Sequence, residues 1–164
     1  MGGNTYRRAR SRKMMQPEGL EPYTVRLEAN LPQGADPVSL TRLLLEDIAR
    51  LCQTAGASLI GHLKCHGRVG DVRFHCNLTS VHSGARCSAE RVAGAAGPLE
   101  VDLAVLVFGL AWPAVDALVR EALAGSQRAW GGSWSLHHPA HSHPDTAEGS
   151  PPTFPGDHSG PNIT

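Results

Sequence analysis

Three histidines give this chain its clearest chemical possibility: His62 and His66, four residues apart in a stretch of strand character, and His75 in the next such stretch. Imidazole nitrogen is the commonest transition-metal ligand, and converging imidazoles hold zinc, nickel or cobalt. Residues i and i+4 of a strand stand about 13 Å apart, too far to share one ion. A site therefore needs a cross-strand pair, with His75 opposite His62, Lys64 or His66 according to the hairpin register. Glu28, Glu100 and Asp102 are expected on the same face as further ligands or as partners that orient the imidazoles, and a second copy of the chain is another source. The same residue types also suit a plain solvated sheet face. A second set, His137, His138, His141 and His143, has the multi-histidine composition of a tract that captures nickel, zinc or cobalt, or of a solvating linker.

The four cysteines, Cys52, Cys65, Cys76 and Cys87, would suggest a disulfide framework in a secreted chain. The first residues argue against secretion, because Arg7, Arg8, Arg10, Arg12 and Lys13 form a basic run with no apolar segment behind it. Reduced thiols in a cytoplasmic protein are the expectation, with Cys52, Cys65 and Cys76 on apolar faces as small hydrophobes. Cys65–His66 and His75–Cys76 read as ligand pairs in text, but neighbouring strand residues point to opposite faces. His82 and Cys87, in the following loop, are freer to converge. A nucleophilic Cys65 or Cys76 is disfavoured because both face the expected core. The phosphate-loop, dinucleotide, zinc-protease and serine-hydrolase motifs are all missing, so no catalytic and no cofactor-binding residue is assigned.

The elements that would position these groups follow from periodicity. Residues 23–31 alternate as a half-buried strand. Asp36 and Pro37 then open a helix carrying Leu40, Leu44, Ile48, Leu51 and Ala55, closed by Gly56. Two strands over 58–66 and 72–81 form a hairpin, and a loop over 82–98 leads to a strand over 99–110 whose end is apolar on both faces, suiting a central position. Trp112 and Pro113 open a last helix, which stops at Gly125. The expected fold class is α+β: a two-layer sandwich of order β-α-β-β-β-α, with a mostly antiparallel sheet carrying both helices on one face. The domain spans 20–126, between a basic disordered leader over 1–19 and a disordered His/Pro/Gly-rich tail over 127–164.

Charge excludes one class of partner. Five of the fifteen basic residues lie in the leader, so the rest of the chain is neutral to mildly acidic and offers no basic face for nucleic acid. The strongest apolar run, 101–112, is interrupted by Asp102 and too short to span a bilayer, so no membrane partner is expected.

The segment ASLIGHLKCHGRVGDVRFHCNLTSV, with I-G-H-L-K, a short glycine turn and a strand ending in L-T-S, resembles a small domain associated with CobW-type P-loop GTPases. Those enzymes are similar to the nickel and cobalt chaperone GTPases, which deliver metal and often carry histidine-rich segments. Since this chain lacks the phosphate loop, the resemblance implies a stand-alone accessory or partner domain of such a GTPase and no GTP hydrolysis. Gly61, His62 and Lys64 match the pattern, without an assigned role.

These readings lead to a non-enzymatic binding module in metal or corrinoid handling, with the open sheet face docking a protein partner. One alternative is a protein interaction domain that forms homodimers. Another is an enzyme with His62 or His75 as general acid or base and Lys64 or Arg73 holding an anionic substrate.

Overall fold

The alternation beginning at Tyr23 becomes β1 (Tyr23–Asn30), the first element of a computed structural model that describes residues 22–89 and 97–139. Asp36 caps α1 (Pro37–Thr54) by accepting hydrogen bonds from the Val38 and Ser39 amides, each at 3.2 Å. Gly56, at φ +96°, turns the chain out of that helix. The hairpin is β2 (Leu59–Val69) and β3 (Val72–Leu78). Gly70, at φ +56°, is the first central residue of its two-residue turn, the position where a twisted hairpin demands positive φ. After β4 (Arg86–Ala89) come β5 (Leu99–Phe108), α2 (Trp112–Trp130) and β6 (Ser133–His137).

The sheet order is β4-β3-β2-β5-β1-β6, with every neighbouring pair antiparallel. Four of these strands, in the order β6-β1-β5-β2, make a split β-α-β arrangement, which β3 and β4 extend at one edge. On one side of the sheet α1 lies over β2, β3 and β4, and α2 over β1 and β6. The chain is therefore α+β with helices packed on an antiparallel sheet, as expected. Leu27, Leu44, Leu45, Ile48, Leu63 and Leu99 are wholly buried between the layers, each worth about 1.5–3 kcal/mol of apolar burial. Among the described residues no helix is long and apolar enough to cross a membrane.

Three expectations are corrected. The last helix does not stop at Gly125 but continues to Trp130, where Gly131 at φ +75° ends it. The tail expected from residue 127 consequently begins later, because β6 pairs with β1 and rests Trp134 and Leu136 against the core. The third concerns the thiols: β4, inside the expected loop, sets Cys87 opposite Cys76, and the two are joined as a disulfide with Cα atoms 4.0 Å apart. Cys87 is thus not available to converge with His82. Cys52 and Cys65 are free and buried, and burial pushes both thiols up to about 11, which starves them of nucleophilic thiolate. The basic leader over 1–19 and the tail histidines His141 and His143 lie outside the described residues.

Gly67 sits opposite Phe74, whose ring occupies the space where a β-carbon on Gly67 would point. Gly67→Ala should therefore displace a buried ring and cost about 1–3 kcal/mol, read as a lower urea midpoint with an unchanged m-value. An unaltered midpoint would mean that the ring moves aside freely.

Candidate functional site

On the side of the sheet away from the helices, register assembles polar side chains into rows that run across the strands. One row reads Ser88, His75, His66, Asp102, Arg26 and His137, from β4 to β6. The next reads Arg73, Arg68, Glu100 and Glu28. A third contains Asn77, Lys64, Ala104 and Thr24. The Arg26 guanidinium grips Asp102 with two hydrogen bonds, Nε to Oδ1 at 2.8 Å and Nη2 to Oδ2 at 3.1 Å, and Arg68 reaches Glu100 at 2.7 Å. Both arginines are held firmly protonated, first by these hydrogen bonds and then by the carboxylate charge.

The register settles which histidines meet. His66 and His75 are direct cross-strand neighbours with ring centroids 6.3 Å apart. Counted from the two-residue turn, they fall on a non-hydrogen-bonded position of the ladder, where facing side chains approach most closely. His62 stands apart. A bulge at Gly61, the unpaired residue between Ile60 and His62, restores its outward direction and sets it beside Leu106, about 13 Å along the strand from His66. His137 reaches the same row at its far end, 4.0 Å from Glu28, while His138 turns to the helix side and contacts Asp116 at 3.1 Å. The expected cluster is therefore a pair. Among the described residues no three His, Cys, Asp or Glu side chains are grouped to hold a metal ion.

A hollow of about 660 Å³ lies on this face above Thr24 and Ala104. It exists because those two short side chains are neighbours within a field of long ones. The Arg26–Asp102 pair, His66 and His137 wall one side, and Lys64 and Pro139 close the ends. A second hollow of about 420 Å³ lies beside Arg68, Arg73 and Glu100.

Sequence reasoning missed a polar cluster at the start of β1, on the helix side of the sheet. The Tyr23 hydroxyl donates to Asp116 Oδ1 at 2.8 Å, Arg120 Nε donates to Oδ2 at 2.8 Å, and His138 approaches Oδ1. Trp112 packs on both Tyr23 and His138, with ring centroids 5.1 Å apart in each case. Burial, reinforced by the bond to Asp116, raises the Tyr23 pKa well above its ordinary value. At Asp116 burial acts in the raising direction, yet the hydrogen bonds from Arg120 and Tyr23 outweigh it and hold the carboxyl below its usual range. Only the Asp116–Arg120 spacing of four on a helix signals this cluster in the sequence; the other partners are distant along the chain.

Compared with family models, curated proteins and solved structures, the chain finds no match.

Because Asp116 is depressed in the folded state, its stabilisation is present above the unfolded value near pH 4 and lost as pH falls through the folded value. Asp116→Asn should thus lower stability by about 1–2 kcal/mol at pH 7, with the gap to wild type closing at the acid end. Thermal melts of both proteins across pH 2.5–7 read this directly; a gap independent of pH would remove the carboxylate from the explanation.

Proposed function

We propose that the chain is a non-enzymatic accessory module that captures a transition-metal ion, nickel, cobalt or zinc, on its open sheet face and presents it to a protein partner. The observation that carries this reading is the His66–His75 pair. With metal–nitrogen bonds of about 2 Å, two imidazoles gripping one ion at a tetrahedral angle have ring centres about 5 Å apart, so this exposed pair, at 6.3 Å, grips an ion after a small rotation of its rings. Two protein ligands leave the remaining coordination positions to water or to an acceptor's side chains. Such a site exchanges its ion readily, which suits delivery better than storage. The resemblance of residues 57–81 to a domain associated with metal-chaperone GTPases points the same way, with a P-loop GTPase as the candidate partner. His141 and His143, a few residues beyond His138, are additional donors from the same chain. In the cytoplasm, where this reading puts the protein, the Cys76–Cys87 bond would be exposed to reducing thiols.

Calorimetric titration of tag-free full-length chain with zinc, nickel and cobalt tests the proposal. One ion should bind, with affinity at least roughly tenfold lower in His75→Ala or His66→Ala and unchanged in His62→Ala. Binding that is indifferent to His66 and His75 but lost on replacing His141 and His143 would move the activity to the tail and overturn the sheet-face site.

A second reading, a homodimer through the same face, is favoured by the charge pattern. The row Arg73, Arg68, Glu100, Glu28 juxtaposes Arg with Arg and Glu with Glu on neighbouring strands, pairings that cost energy within one sheet. A second copy related by a two-fold axis along the strands would lay each Arg pair over a Glu pair. It would also cover Leu59, which is 57% exposed and paired with Phe108. Light scattering behind size exclusion should then give twice the chain mass, falling to one in Arg68→Glu and recovering when Glu100→Arg is added.

A further inference from the structure

The hollow above Thr24 and Ala104 has a chemistry separate from that of the histidine pair, and we infer that it binds a small organic monoanion with a flat apolar body, such as an aromatic carboxylate or sulfonate. Three observations support this. Its floor is a cross-strand pair of short side chains on adjacent strands, so it is broad and shallow and its surface is largely apolar, which suits a planar ring system. Its charge is unbalanced. Arg26 and Asp102 satisfy one another in the wall, whereas Lys64 has Asn77 and Ala104 as its cross-strand neighbours and no acidic partner among the described residues. The hollow therefore carries a net positive charge before any imidazole is counted, and the ammonium on its flexible stem is free to meet an anionic group at the rim. Finally, His137 and Pro139 at the end of β6 border the hollow, so its far wall is held by the fold through β1–β6 pairing.

Lys64 is thus a ligand-recognition residue, and Ala104 a residue that keeps the floor open. The proposal does not require metal, and its test is arranged so that the metal reading succeeds or fails independently. The probe is 8-anilinonaphthalene-1-sulfonate, with fused rings and a single sulfonate, titrated into full-length protein in EDTA and followed by fluorescence. Saturable binding of one probe per chain is expected, with benzoate competing. Ala104→Phe, which fills the floor, should weaken binding at least roughly tenfold while leaving the circular-dichroism melt unchanged. Thr24→Phe on the neighbouring strand serves as a second filler should the first disturb the sheet. Lys64→Met should weaken binding severalfold and Lys64→Arg should retain it, whereas His75→Ala, which removes the imidazole pair, should have no effect. No enhancement by folded protein would overturn the proposal, as would binding indifferent to Ala104→Phe, Thr24→Phe and Lys64→Met, since the dye would then be reporting the apolar end around Leu59.

Discussion

Strand β5 is hydrogen-bonded on both edges, to β2 and to β1, and what faces either side of the sheet depends on its register in those two ladders. Its side chains alternate: Leu99, Val101, Leu103 and Val105 enter the core, and Glu100, Asp102, Ala104 and Leu106 face outward. A slip of one residue would carry Asp102 inward and Leu103 out. Exposing the leucine would forfeit about 1.5–3 kcal/mol, and an unpaired buried carboxylate costs several more. The hydrophobic pattern therefore locks the ladder, and the ladder sets Asp102 beside His66 and Ala104 beside Lys64, while the two-residue turn of the β2–β3 hairpin sets His75 beside His66. The outer face is arranged by a constraint that acts on the inner one.

Ion pairs on the outer face contribute little to folding. Arg26 and Asp102 are both more than half exposed, so water and salt screen their attraction and the pair adds little to stability. Their consequence is positional, since pairing fixes two long side chains as a wall and, among the described residues, leaves Lys64 without a carboxylate. The Asp116 cluster differs because it is partly buried and joins three elements. Asp116 and Arg120 belong to α2, Tyr23 to β1, and His138 follows β6. Trp134 adds a hydrogen bond from its indole to Ser126 of α2 at 3.2 Å. A five-residue edge strand has few ladder bonds with which to hold itself, so these side-chain ties to α2 keep β6, and with it His137, against the sheet.

The parts of this arrangement that could be read in the sequence are those encoded by local period. The alternation of β1, the Asp36–Pro37 start of α1 and the glycine turn of the hairpin all correspond to the structure. The missing parts depend on contacts between distant segments. Trp134 and Leu136 alternate with Ser133, Ser135 and His137, but four residues between a Gly-Gly pair and His-His-Pro resemble low complexity until β1 is available to pair with them. Gly125 resembled a helix cap because a glycine ended the apolar stripe; buried Ser126 just beyond it continues the inward face. The disulfide was hidden with β4, since Cys87 meets Cys76 only once a short strand exists at that edge. The hairpin spacing left three possible partners for His75, and the two-residue turn selects His66. The hollow could not be foreseen, because it arises from two short residues far apart in the chain that register makes neighbours.

The histidine pair and the hollow meet at His66, which belongs to both, so their occupants would not be independent. A divalent ion held by His66 and His75 would stand about 7 Å from the base of Lys64, the distance spanned by two residues of a strand. At that range, in a solvent-like dielectric, each added positive charge favours an anion by about 0.6 kcal/mol, or about 1 kcal/mol for a divalent ion before salt screening. Linkage makes the effect mutual: an anion in the hollow would strengthen metal binding by the same factor with which the metal strengthens anion binding. The positive hollow that repels a bare cation would, once occupied by an anion, favour it. With both proposed sites filled, an ammonium without an acidic partner among the described residues and a neighbouring imidazole pair would thus take a cation and an anion together more readily than either alone.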